Sequence, residues 1–295
     1  MKSIKFFFVI LFVLLNTLSA QYSRGFVKEG LVIQSKILQK DVRYTVYLPY
    51  DYETSSRYYP VVYLLHGYTD NDMGWIQFGE ANLILDEAIA KQELPPMILI
   101  MPDGGVSWYI NNFDNSVRYE DFFIEEFMPA IEKQFRIRAE KRYRGIAGLS
   151  MGGFGSLTLS MRHPDLFSGC AAFSAAVYTK ETIINFDSER WNRIDAILYG
   201  TDLQGEKRIT GHLLSYSPIY MLDKMDIDKV KSVRIYLDCG DDDRLTVGNS
   251  TFHLVLKKLG INHEYRVRDG DHNWYYWRSG LLDGLKFIGE GFHQQ

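Results

Sequence analysis

A chain of 295 residues with 37 acidic and 33 basic side chains, a formal charge of −4 and 46% hydrophobic residues can bury a sizeable core. The mildly negative balance excludes a nucleic-acid binder and a protein drawn by charge to anionic membrane surfaces. Two cysteines exclude a disulfide framework; Cys170 and Cys239 each fall in or at the end of an expected buried strand, which predicts free thiols.

The first twenty residues read as a signal peptide. Lys2 and Lys5 form a positive n-region, Phe6 to Leu15 are uninterruptedly apolar, and Leu18-Ser19-Ala20 offers small residues for cleavage after Ala20. That apolar run is too short for a transmembrane helix, so export without stable membrane insertion is expected. Residues 21–295 are read as a single domain.

Leu31-Val32-Ile33 and Val42 to Leu48 have the pattern of strands, the second alternating as a half-buried strand does. Pro60 to Leu65 and Met97 to Met101 are continuous apolar runs, which suit parallel strands buried on both faces. Ala81 to Ala90 has helical period. So does Tyr119 to Phe135, where Pro129 predicts a kink. A short strand then leads into Gly148-Leu149-Ser150-Met151-Gly152, followed by a helix to about Arg162. Gly169 to Ala176 reads as another strand. Residues 178–230 break the rhythm and are read as an insertion capping one end of the sheet. Val233 to Leu237 and His263 to Val267 are the last strands, with helices over Phe252 to Leu259 and Trp274 to Phe287. Strand–helix alternation of this kind predicts an α/β class: a mostly parallel central sheet with helices on both faces.

Gly148-x-Ser150-x-Gly152 between a strand and a helix is the pattern of a nucleophile elbow, a turn so tight that the neighbours of the serine must be small. A serine hydroxyl needs a base, and the base needs an orienting carboxylate. His272, in the loop between the last strand and the last helix, hangs where such a base must. His253 and His263 read as surface or packing residues, and His66 as a residue holding its own loop. Asp241, Asp242 and Asp243 all follow the penultimate strand, and spacing does not choose among them. The backbone amides of Met151 and Tyr68 are the expected oxyanion donors. Trp108 and Tyr109 are candidates to stack on an aromatic acid or a sugar, with core packing as the alternative. Neither a His-Glu-x-x-His nor a paired-cysteine pattern occurs, so neither a metal nor another cofactor is expected.

Leu64-Leu65-His66-Gly67 with Trp75 downstream, Gly79-x-Ala81-Asn82, Ala147 to Gly153, and Gly270-x-His272 followed by Trp277 resemble the esterase D family. That family comprises feruloyl and acetyl-xylan esterases of carbohydrate esterase family 1, S-formylglutathione hydrolases, mycolyltransferases and siderophore esterases. The resemblance spans roughly Gly30 to Phe287 and implies the α/β-hydrolase fold. It also implies that the aspartate three residues past Gly240, Asp243, is the triad acid. With a signal peptide, the expected activity is removal of feruloyl or acetyl groups from an acylated plant polysaccharide. Siderophore-ester hydrolysis and acyl transfer to a sugar are the alternatives.

Overall fold

The computed structural model describes residues 24–293, and the signal peptide expected over 1–20 lies outside the described residues. One sheet contains β1 (Phe26–Ser35), β2 (Lys40–Leu48), β3 (Val61–Leu65), β4 (Ile98–Pro102), β5 (Arg144–Leu149), β6 (Gly169–Phe173), β7 (Arg234–Gly240) and β8 (His263–Arg268). Their spatial order is β1-β2-β4-β3-β5-β6-β7-β8. β2 pairs antiparallel with both β1 and β4, and all remaining pairs are parallel.

Five longer helices cover the sheet: α1 (Ala81–Ala90), α2 (the consecutive segments Tyr119–Asp121, Phe122–Phe127 and Met128–Gln134), α3 (Met151–Arg162), α4 (Thr246–Lys258) and α5 (Trp274–His293). The period-2 geometry of a strand sends successive side chains to opposite faces. Val61, Tyr63 and Leu65 therefore join one core with Phe122 and Phe127 of α2, Leu157 of α3 and Phe252 of α4. Val62 and Leu64 join the other with Leu85 of α1 and Leu281 of α5. Each such aliphatic side chain contributes about 1.5–3 kcal/mol on burial, which is why the continuous apolar runs became the central strands.

β1 and α5 are longer than the sequence expectation, Phe26–Ser35 and Trp274–His293, and three other elements differ from it for reasons the packing shows. The middle of α2 is a wider π-helical turn, Phe122–Phe127, just before Pro129. Proline has no N–H for the carbonyl four residues back and its ring crowds that carbonyl; the wider turn accommodates both. β6 stops at Phe173 rather than Ala176, because Ser174 turns left-handed (φ 44°) just after its N–H makes the last ladder bond to Asp238 O at 2.7 Å. α4 starts six residues earlier than its apolar spacing suggested. Its polar first turn is held by Asn249, whose amide donates to the Ala175 and Leu245 carbonyls at 2.9 Å each.

Residues 178–230 leave from the C-terminal end of β6 as a series of short helices. Side chains cap several of them: Thr179, Asp187 and Thr210 each accept from a backbone N–H in the first turn. The buried Arg208 guanidinium donates to the Leu203, Ile183 and Phe186 carbonyls, gathering the insertion around one charge. A second buried cluster ties the insertion to the sheet-covering helices. Glu120 of α2 accepts from Arg162 and His163 at the end of α3 and from the Tyr216 hydroxyl, each at 2.7 Å. A mostly parallel sheet, helices on both faces and an insertion after β6 make this the α/β-hydrolase fold, as the sequence resemblance implied.

Candidate active site

β5 ends at Leu149 and α3 begins at Met151, so Ser150 alone makes the turn, at φ 53° and ψ −114°. A non-glycine residue in this region carries about 1–3 kcal/mol of strain and persists only where its surroundings enforce it. Here they do. Ser150 N–H donates to Phe173 O at 2.9 Å, and Ser150 O accepts from Ala176 N–H at 3.0 Å. A Cβ at Gly148 would strike the Gly152 carbonyl, and one at Gly152 would strike the carbonyl oxygens of Leu65 and His66. The two glycines of the motif are there because backbone meets backbone.

The loops after β7 and β8 bring two further residues to the serine. His272 Nε2 lies 2.9 Å from Ser150 Oγ, and His272 Nδ1 lies 2.8 Å from Asp243 Oδ2. An ionised carboxylate only accepts, so Nδ1 carries the proton and Nε2 presents its lone pair to the serine hydroxyl. Asp243 Oδ1 accepts from Leu245 N–H at 2.9 Å. Burial pushes the Asp243 carboxyl up. Hydrogen bonds from His272, the Ser174 hydroxyl and Leu245 N–H outweigh it and hold the group below the ordinary carboxylate range. Asp241 and Asp242 are exposed and face away from this line; with Asp269 they form an acidic surface cluster. Of the three adjacent carboxylates, geometry selects Asp243.

The loop after β3 carries Tyr68, whose N–H donates to no backbone carbonyl among the described residues. Met151, as first residue of α3, likewise has a free N–H. His66 fastens this loop. Its Nδ1 donates to Gly67 O at 2.7 Å and its Nε2 accepts from Gly104 N–H at 2.8 Å. With both nitrogens engaged it has no lone pair for a base. Trp75 adds a hydrogen bond from its indole N–H to Leu65 O at 2.9 Å.

An open cleft of about 570 Å³ surrounds Ser150 and His272, lined also by Tyr68, Asp70, Phe78, Arg244, Asn273 and Trp274. Trp108 and Tyr109 are not part of its wall; Trp108 lines instead a small separate cavity with Phe154, Tyr178, Trp191 and Tyr199, while Tyr109 takes the alternative of core packing. Tyr109 is fully buried, donates its hydroxyl to His66 O at 3.1 Å and fills the space left by Gly104 and Gly155. Trp108 packs between Tyr68 and Phe154. Tyr109 is scaffold for the loop. His253 and His263 sit elsewhere, with ring nitrogens 2.8 Å apart between α4 and β8. Cys170 and Cys239 are free and buried, and burial pushes each thiol up to about 12.

Sequence reasoning missed the support behind the triad. The Trp277 indole N–H donates to Ser174 Oγ at 3.0 Å, and its ring meets that of His272 edge-on, centroids 4.9 Å apart. An indole only donates, so Ser174 accepts there, and its own hydroxyl is among the groups that lower the Asp243 pKa. It also missed Arg244, Asn273, Phe78 and Trp274; the aromatics after His272 read simply as the start of a helix.

A family model described as "Putative esterase" matches residues 35–288. The chain belongs to this esterase family. Esterase Rv1288 of Mycobacterium tuberculosis is 30% identical over 250 residues, covering 77% of this chain and 51% of that protein. An endo-1,4-beta-xylanase/feruloyl esterase of Xylanibacter ruminicola is 36% identical over 146 residues, covering 47% of this chain and 20% of that protein. The chain thus spans about half the length of the first of these relatives and a fifth of the second. Among solved structures, a ferulic acid esterase superposes with a TM-score of 0.79 at 32% identity, covering 91% of this chain and 99% of that one.

Proposed function

We propose that this chain is an exported serine ester hydrolase that releases feruloyl or acetyl groups from plant polysaccharide. The observation that carries the reading is the unbroken hydrogen-bonded line from Ser150 through His272 to Asp243 at the open end of the sheet. Ser150 Oγ attacks the ester carbonyl while His272 Nε2 takes its proton, and the Asp243 carboxylate stabilises the imidazolium that forms. The Tyr68 and Met151 amides receive the oxyanion. His272 then protonates the departing alcohol oxygen, leaving an acyl group on Ser150. Water, deprotonated by the same histidine, cleaves that ester and returns the serine.

Membership of the esterase family supports ester hydrolysis. The likeness to a ferulic acid esterase and to a chain that is also a xylanase supports acyl groups on polysaccharide. Lys2, Lys5 and the apolar run from Phe6 to Leu15 support export, which suits a polymeric substrate.

The test is hydrolysis of methyl ferulate, p-nitrophenyl acetate and acetylated xylan by the wild type and by Ser150→Ala. Ferulate release that the variant loses is the expected result, with a fall on the order of 10⁵-fold or more. Acetyl release alone would narrow the assignment to a deacetylase. Activity retained in Ser150→Ala would overturn the mechanism.

A further inference from the structure

Next to the triad the cleft holds a cation that the chemistry above does not use. Arg244 follows Asp243 directly, is exposed, and lines the same cleft as Ser150, His272 and Asn273. Asp243 is turned inward to His272 and Leu245, which leaves its neighbour on the open side. Other arginines of the fold are tied to carboxylates: Arg144 to Glu132, Arg162 to Glu120, Arg268 to Asp238. Among the described residues Arg244 makes neither a hydrogen bond nor an ion pair. Its charge is felt by the Tyr178 hydroxyl at the start of the insertion, where burial raises the pKa and the charges of Arg190 and Arg244 oppose the rise.

The cleft's carboxylate does not neutralise it. Asp70 accepts from Asn71 N–H at 2.9 Å and packs where a Gly74 side chain would be. Burial raises the Asp70 pKa, against the Asn71 hydrogen bond and the charge of His66. Phe78 and Trp274 complete the wall with tilted rings 5.7 Å apart.

We infer that Arg244 binds a carboxylate on the alcohol side of the ester, so that the preferred substrates are esters of acidic sugars, such as the uronate units of a glycan. The inference rests on the triad reading: His272 Nε2 must hand its proton to the leaving oxygen, which places the alcohol part against His272, Asn273 and Arg244. A guanidinium offers a planar fork of donors that matches a carboxylate with two parallel hydrogen bonds. The Phe78 and Trp274 faces give a sugar ring apolar surface to lie on, while the open cleft leaves room for a chain. An unpaired guanidinium can be recruited without breaking an internal salt bridge.

The experiment compares chlorogenate, a caffeoyl ester whose quinate alcohol carries a carboxylate, with its methyl ester, in which that charge is blocked. Methyl caffeate reports on the triad. For the wild type, kcat/KM for chlorogenate is expected to exceed that of the methyl ester by about five-fold, the size of a partly exposed charge-assisted contact. The difference should lie in KM and shrink between about 0.05 and about 0.5 M salt. In Arg244→Gln the ratio should fall to near one, and Arg244→Lys should keep part of it. If neither quinate ester is turned over, the same comparison is read from inhibition of methyl caffeate hydrolysis by glucuronate and by glucose. Equal treatment of charged and neutral forms by the wild type, or a preference that survives in Arg244→Gln, would overturn the inference and leave the triad reading standing. Failure of the wild type on methyl caffeate, methyl ferulate and p-nitrophenyl acetate alike would overturn both.

Discussion

Replacing Glu120 with glutamine removes one charge from the seam where α2, the end of α3 and the insertion meet. The carboxylate is buried and accepts from Arg162, His163 and Tyr216, each at 2.7 Å. Burial pushes its pKa up, but the hydrogen bonds from His163, Arg162 and Tyr216 outweigh that and bring it from 4.5 to about 2. A carboxyl whose pKa falls on folding stabilises the native state above its unfolded pKa. Its contribution is therefore full above pH 4.5 and is lost as the pH drops toward about 2. That fall in pKa corresponds to about 3 kcal/mol at neutral pH. Glutamine keeps the shape and one carbonyl acceptor but leaves the Arg162 guanidinium without a counter-charge. Urea unfolding followed by tryptophan fluorescence, from about pH 8 down to about pH 2.5, reads the effect. Glu120→Gln is expected to be about 3 kcal/mol less stable than the wild type at neutral pH, with the gap closing below about pH 4. A gap under about 1 kcal/mol, or one that stays constant through the acid range, would refute the reasoning.

Two further substitutions probe the site itself. Gly152→Ala places a methyl group against the Leu65 and His66 carbonyls, where neither backbone can retreat. It should lower kcat/KM on p-nitrophenyl acetate by more than about 100-fold, while a thermal melt reports how much of that is unfolding; near-normal activity would mean that α3 can slide along β3. Trp277→Phe keeps the ring beside His272 but deletes the donor to Ser174. It should reduce kcat about ten-fold with little change in KM, and an unchanged kcat would show that this link does not orient Asp243.

What was legible in the sequence depended on how local its cause was. β3 and β4 were readable because burial on both faces demands an unbroken apolar run, and Val61 to Leu65 supplies one. Ser150 was readable because the elbow tolerates only small neighbours, a demand made within five residues. His272 was readable because a base must hang from a loop at the same sheet edge. The rest was set by partners distant in the chain. Nothing near Ser174 says that it will turn left-handed and end β6, and nothing near Asn249 says that Ala175 will hold the first turn of α4. Trp108 and Tyr109, in the loop after Gly104 and Gly105, read equally as substrate contacts or as core. Only the space above Gly104 and Gly155 draws Tyr109 inside. Asp243 needed the family resemblance at the sequence level, and the 2.8 Å contact with His272 now supplies a geometric reason.

The contact between Gly152 and the end of β3 has a consequence for how this fold can diversify. Because the helix carrying the nucleophile rests directly on the Leu65 and His66 carbonyls, the serine and the loop bearing Tyr68 share one foundation, with His66 bolting it to the end of β4. Ser150 Oγ and the Tyr68 amide therefore move as one body. The insertion over residues 178–230 is built on its own caps and on Arg208, and it meets the helix through Tyr216, whose carbonyl accepts from Thr158 and whose hydroxyl shares Glu120 with Arg162. Substitutions away from those contacts can vary the insertion without altering the distance between Ser150 and the Tyr68 amide, so the two parts of the chain are free to change separately.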